Sequence, residues 1–310
     1  MTLSTFSALK NVPISGSMKE LDDEEIAQLK NVLLEILLDV HSFCVSKGLE
    51  YVLCGGSCLG AIRHKGFIPW DDDIDIAMPR TSYAIFCETF EEAYGGKYVL
   101  NIPGKTKGYG LGIAHVRMAG TVYKTHSDFG VANDEAGIFI DIFPIENVPN
   151  NPISRKVHEF GSLALGLLTS CNRFYNYREL YLKLAGQNES LRKQFLKKIR
   201  IGSLTKRRTL ENWALRWDRW NSKCKNENSK NVTIPSGRKH YNGELLPREA
   251  FFPAKEGDFE GHKLKLPADA DAYLKSLYGD YMEIPAETER EKHVVMELDF
   301  GDFALENDRD

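Results

Sequence analysis

Four carboxylates crowd together at Asp71, Asp72, Asp73 and Asp75. Asp73 and Asp75 alternate with Ile74 and Ile76, and on a strand alternate side chains share a face. The pattern predicts a strand whose isoleucines enter the core while its two acids project together. Adjacent carboxylates raise each other's pKa unless a positive charge separates them. A divalent cation removes that conflict, and an all-oxygen set suits Mg²⁺ or Mn²⁺ rather than zinc. A third acid, Asp141, stands inside Ile138-Phe-Ile-Asp-Ile-Phe143, the most strand-like run in the chain. It shares a face with Phe139 and Phe143, where an acid is costly unless paired or metal-bound. A run of aspartates also suits a solvated turn, but the alternation and Asp141 favour a metal site. Asp73, Asp75 and Asp141 are the expected metal ligands and catalytic acids if their strands are neighbours.

Gly55-Gly56-Ser57 lies between the apolar run Tyr51-Val-Leu-Cys54 and a helical segment that ends near Gly66. Glycines let backbone approach a ligand, and a helix N-terminus offers unpaired N–H groups to phosphate. Neither a Walker A loop nor a Rossmann Gly-x-Gly-x-x-Gly fingerprint is present. Arg63 and Lys65 either favour the helix C-terminus or neutralise phosphates. His64 reads as structural or solvated. Trp70 either packs or stacks on a ring. Arg117 pairs with a site acid, a phosphate or a structural partner.

These residues need a scaffold. Apolar positions from Ile26 to Cys44 recur at helical spacing, with Asp22 and Glu25 resembling a capping box and Gly48 as the stop. Pro79 opens a second helix through about Ala93. Strands are expected near residues 98–102, 112–118 and 121–125. Residues 153–225 lack strand alternation and carry long helical patterns. Short Pro/Gly-punctuated segments follow over 232–268, then a helix from Asp269 to Tyr278 stopped by Gly279. The expected organisation is a flexible arm (1–20), a catalytic core (21–152), a helical insertion (153–230) and a C-terminal segment (231–310) that completes the core. The fold class is α/β (α+β), a small mixed sheet flanked by helices.

Composition bounds the function. The 310 residues carry a net charge of −4, with 42% apolar and 11% aromatic residues, so a core can form and no basic coating for nucleic acid exists. Six cysteines are too few for a disulfide scaffold, and none has zinc-site spacing with a second pair. No signal peptide is evident, and Leu163–Leu168 is too short to span a bilayer. A cytoplasmic protein is expected, with contact at the inner membrane face as an option. Residues 191–210 hold eight bases and no acid. They read as a solvated face, a site for an anionic ligand such as a polyol-phosphate chain, or a membrane contact over 191–220. Trp213, Trp217 and Trp220 form one helical stripe suited to core packing, sugar stacking or interfacial anchoring.

Cys54-Gly-Gly-Ser57, followed by Leu59-Gly-Ala-Ile-Arg-His-Lys-Gly-Phe-Ile-Pro-Trp-Asp-Asp-Asp-Ile-Asp-Ile76, resembles the first block of the LicD family. Ile140-Asp-Ile-Phe-Pro-Ile145 resembles its second block. Tyr273 to Tyr281, with Pro285, Lys292 and His293, resembles its C-terminal block. The likeness covers about 25–150 and 245–300, and Cys58 departs from it. The resemblance implies a nucleotidyltransferase-like fold shared with fukutin and fukutin-related protein. It also implies transfer of a phospho-alcohol, foremost phosphocholine, from a CDP-activated donor such as CDP-choline to a cell-surface glycan or its lipid-linked precursor. On that reading Gly55, Gly56, Ser57, Arg63, Lys65, Trp70, Asp71, Arg117 and His293 contact substrate, and Asp73, Asp75 and Asp141 hold Mg²⁺. The rival expectations are a nucleotidyltransferase that makes an NDP-activated compound, and a non-catalytic glycan- or nucleotide-binding protein.

Overall fold

The computed structural model describes residues 19–286, 290 and 295–303. Its first helix, α1 (Asp23–Lys47), begins on a complete capping box. The Asp22 carboxylate accepts the Glu25 N–H at 2.9 Å, and Glu25 accepts the Asp22 N–H at 3.2 Å. Gly48 ends it in the left-handed conformation, φ +64°, which a glycine adopts without Cβ strain. Leu29, Leu33, Ile36, Leu37 and Val40 on one face are buried.

The elements that follow are β1 (Val52–Leu53), α2 (Gly55–Arg63), β2 (Asp75–Pro79), α3 (Arg80–Ala93), β3 (Tyr98–Asn101), β4 (Ala114–Met118), β5 (Val122–Lys124) and β6 (Phe139–Asn147). The main sheet runs β1-β2-β6-β4-β3. Only β2 and β6 pair in parallel; the other neighbours are antiparallel. A mixed α/β fold results. Ile74, Ile76, Ile138, Ile140 and Ile142 are fully buried beneath α1 and α3, where Phe86 and Phe90 stack on each other and Phe43 meets both edge-on. Two boundaries differ from the sequence reading. The glycines at 55 and 56 form the first turn of α2 rather than a loop before it. Residues 71–74 lead into β2 and are not part of it.

Helices α4 (Pro152–Asn176), α5 (Arg178–Ala185), α6 (Glu189–Gly202) and α7 (Leu210–Asn221) come next. Asn151 caps α4 and Pro152 occupies its first turn. The tryptophan stripe of α7 packs inward. Trp220 donates to the His158 carbonyl at 2.9 Å, Trp213 to that of Thr205 at 3.1 Å, and Trp217 lies against Gly112 and Gly166. That placement gives the stripe a packing role instead of sugar stacking or membrane anchoring. Lys198, counted in the basic run, is likewise buried, donates to Ser170 and has its pKa lowered to about 8 by burial. Arg80 binds the buried Glu146 of β6 and, at 2.9 Å, Asp218 of α7.

The chain then returns to the sheet through β7 (Asn231–Thr233), α8 (His240–Gly243), β8 (Leu246–Pro247), α9 (Arg248–Phe251), the hairpin β9 (Lys255–Phe259) and β10 (His262–Leu266), α10 (Ala270–Tyr278) and β11 (Glu297–Asp299). β7 pairs with the end of β6, and β11 pairs with β5. No described helix is long and apolar enough to cross a membrane.

Candidate active site

Strand register builds the site. Asp75 pairs with Asp141 across β2 and β6, Asp141 with His115 across β6 and β4, and His115 with Asn101 across β4 and β3. One polar row therefore crosses four strands of the sheet. Adjacent strands lie about 4.8 Å apart, so the two acids are direct neighbours.

The start of α2 closes against the acidic segment. Gly55 adopts φ +52°, and a Cβ there would overlap Asp75 Oδ2. A Cβ on Gly56 would come within 2.6 Å of Asp71 Oδ2. Gly55 is favoured by its positive φ, and both glycines let a carboxylate approach the backbone closely. Ser57 Oγ accepts the Asp75 N–H at 2.8 Å, tying the helix to β2. Gly55 donates its N–H to the buried Tyr273 hydroxyl at 3.0 Å, so α10 caps α2. Tyr278, from the same helix, has its phenol pKa pushed up by burial and by Asp75, Asp71 and Asp73. On the other side Tyr123 donates to Asp72 at 3.1 Å.

His115 was not singled out from the sequence, and it is the residue that touches Asp141. Its Nε2 lies 2.9 Å from Asp141 Oδ1. Its Nδ1 faces Arg117 at 2.9 Å. A guanidinium can only donate, so Nδ1 must accept and the proton sits on Nε2, toward the acid. Burial lowers the His115 pKa, Asp141 opposing that shift and Arg117 adding to it, so the ring is neutral. It stacks on Phe139 with centroids 4.1 Å apart.

Several expected contacts are placed differently. Arg117 is completely buried and binds Asp128 and Asn101 at 2.5 Å each and the Gly137 carbonyl at 2.9 Å. The expectation that it contacts substrate is corrected: it stands behind His115. Arg63 donates to the carbonyls of Tyr281 at 2.8 Å and Glu283 at 3.2 Å, holding the C-terminal block against α2. Lys65 is exposed at φ +62°, and its carbonyl accepts the Glu260 N–H beside the hairpin. Trp70 is half-buried, with Arg290 4.2 Å and Arg63 5.9 Å from its ring. His293 lies outside the described residues.

The residues fit a divalent ion on two observations. Asp75 and Asp141 carry like charge in direct register. Beside His115, Asp141 Oδ1 and Tyr109 Oη are buried with no hydrogen-bond partner among the described residues; the His115 contact to Asp141 has the distance but not the direction. Buried polar groups are rarely left so. Among the described residues no three ligand side chains converge on one point in this conformation. Asp75 and Asp141, with Asp73 just before β2, are the oxygen donors in reach of such an ion.

Residues 48–160, which enclose the glycine turn, the acidic segment and Asp141, match the family model of the LicD/FKTN/FKRP nucleotidyltransferase domain. The chain is similar to the lipopolysaccharide cholinephosphotransferase LicD of Haemophilus influenzae, with 28% identity over 273 residues, 86% of this chain and 94% of the relative. An uncharacterised protein of Rickettsia prowazekii is 39% identical over 46 residues, 15% of this chain and 17% of its own. The acids and the glycine turn thus lie inside the segment that matches the LicD/FKTN/FKRP nucleotidyltransferase domain, and most of the chain is similar to a LicD protein.

Proposed function

We propose that this protein transfers a phospho-alcohol, foremost phosphocholine, from a CDP-activated donor to a glycan hydroxyl. The observation that carries the reading is the Asp75–Asp141 register beneath the glycine start of α2, in a chain similar along most of its length to a cholinephosphotransferase. In the proposed reaction the acceptor oxygen forms a bond to the phosphocholine phosphorus, the bond to CMP breaks, and the hydroxyl proton leaves to solvent or a carboxylate. Asp73, Asp75 and Asp141 would hold Mg²⁺, which when bound supplies positive charge to the phosphoryl oxygens and the leaving phosphate. Gly55 and Gly56 let the start of α2 approach the acids closely, where its N–H groups would face a donor phosphate. Ser57 Oγ keeps its own proton to donate, because it only accepts from Asp75. His115 Nε2 stands 2.9 Å from Asp141 Oδ1, within reach of orienting that carboxylate.

The test is product analysis with CDP-choline, Mg²⁺ and a glycan acceptor. Stoichiometric CMP and a choline-phosphate glycan are expected, and Asp75→Asn should lower the rate by about 10² or more. Release of pyrophosphate from a nucleoside triphosphate would instead identify a nucleotidyltransferase. Full activity of Asp75→Asn would remove the acids from the mechanism.

A further inference from the structure

The acids of α7 are both committed to other elements. Glu211 accepts the Gly108 N–H, and Asp218 pairs with Arg80. On the adjacent face of the helix the charged side chains are the bases Arg216 and Arg219. Arg207, Arg208, Arg216 and Arg219, with Thr209, Asn212 and Leu215, line one open cleft of about 390 Å³ that no carboxylate borders. Among the described residues none of the four guanidiniums makes an ion pair; Arg216 lies 5.8 Å from the Trp213 ring. By contrast Lys193 in the same basic run pairs with Glu189, and Lys198 is buried.

Four like charges around one concavity repel one another, and an anion among them turns that repulsion into attraction. Guanidinium forks match phosphate oxygens in a bidentate way that ammonium groups do not. The N-terminus of α7, capped by Thr209, opens on the same cleft and adds its positive dipole end. Asp218 meets Arg80 just beyond β2, whereas Asp75 begins that strand. Five residues of strand separate the two by about 17 Å. None of the residues that line the cleft is among those placed at the acids, so the cleft is a distinct cluster of groups.

We propose that this cleft binds a phosphate-bearing part of the acceptor glycan, as an anion subsite separate from the acidic centre. The identity of the ligand as acceptor rests on the transferase reading; the anion site itself does not. A membrane headgroup offers the same phosphate chemistry, and the exposed Leu204 nearby makes that source worth separating. The concave shape and the inward tryptophans favour the glycan.

The test uses Arg207→Gln/Arg208→Gln/Arg216→Gln/Arg219→Gln in the full chain. All four positions are exposed, so an unchanged thermal transition is expected. Calorimetric titration with tripolyphosphate, without divalent metal, should show binding by the wild type and by Asp73→Asn/Asp75→Asn. The arginine variant should bind about tenfold more weakly or worse, and wild-type affinity should fall as salt rises. Equal binding by wild type and arginine variant, or no binding by the wild type, overturns the site. In transfer assays with a phosphorylated acceptor, the arginine variant should raise acceptor KM about tenfold with donor KM unchanged. Equal KM for wild type and variant overturns the acceptor assignment. If no enzyme form transfers, the transferase reading falls and the titration alone judges the cleft. Flotation with phosphatidylcholine vesicles, about a third of the lipid being phosphatidylglycerol, is the remaining arm. Arginine-dependent capture without tripolyphosphate binding would assign the cleft to a membrane and overturn the glycan proposal.

Discussion

His115 links the surface acid to the buried frame. Its ring is clamped between Arg117 behind, Phe139 alongside and Asp141 in front. Groups that orient a metal-binding carboxylate commonly govern ion affinity through the geometry they impose. His115→Phe keeps ring volume but removes the N–H to Asp141 and the acceptor for Arg117. Its Mn²⁺ affinity is expected to fall about 10- to 100-fold, read by electron paramagnetic resonance titration without substrate. Unchanged affinity would show that Asp141 is held by its strand alone. Tyr273 makes a smaller claim. Tyr273→Phe leaves the Gly55 N–H without its acceptor, at an expected cost of about 1 kcal/mol in urea unfolding.

At the scale of elements, one cation holds α3, β6 and α7 together. Arg80 is deeply placed; Glu146 beside it holds it charged, its pKa raised despite burial. Glu146 is 1% exposed, and among the described residues Arg80 is its salt-bridge partner. Arg80→Met leaves that carboxylate buried and unpaired, an expected loss of about 3–5 kcal/mol. Adding Glu146→Gln should recover much of the loss, because the buried charge disappears with its partner. Chemical denaturation of the two variants measures both numbers, and additive losses would refute the coupling. The same element logic explains α2. Its first turn lacks a side-chain cap, so Tyr273 from a distant helix supplies the acceptor that a local Ser or Asp normally would.

For the whole molecule, Glu244 is a buried group that makes stability depend on pH near neutrality. Burial lifts its carboxyl from 4.5 to about 7, only partly offset by the Lys239 N–H. Between those values the folded chain keeps a proton that the unfolded chain has released. Folding stability from this group therefore falls as pH rises through that window and levels off above it. The shift corresponds to about 3 kcal/mol. Glu244→Gln should stabilise the protein by up to about that amount at pH 8 and change little at pH 4, as read by thermal or urea unfolding. An equal effect at both pH values would rule out a charge origin.

Local pattern made much of this legible. The capping box at Asp22 and Glu25, the stop at Gly48, the alternation of Asp75 with its isoleucines and the strand around Asp141 all depend on residues a few positions apart, where spacing dictates face and end. Residue chemistry alone also marked the acids as wanting a cation and the 192–208 run as uncompensated. Partners far apart in the chain required the fold. Nothing local to His115 says that it stands between Asp141 and Asn101; antiparallel pairing of β4 with β6 and β3 decides it. Arg117 has the composition of a phosphate ligand and is instead consumed by Asp128, because its strand lies in the middle of the sheet. The basic run likewise divided only in three dimensions: Lys198 turned inward, while Arg207 and Arg208 joined Arg216 and Arg219 around one cleft. Sequence sets which groups exist and which face each takes on its own element; only packing between elements decides which of those faces meet.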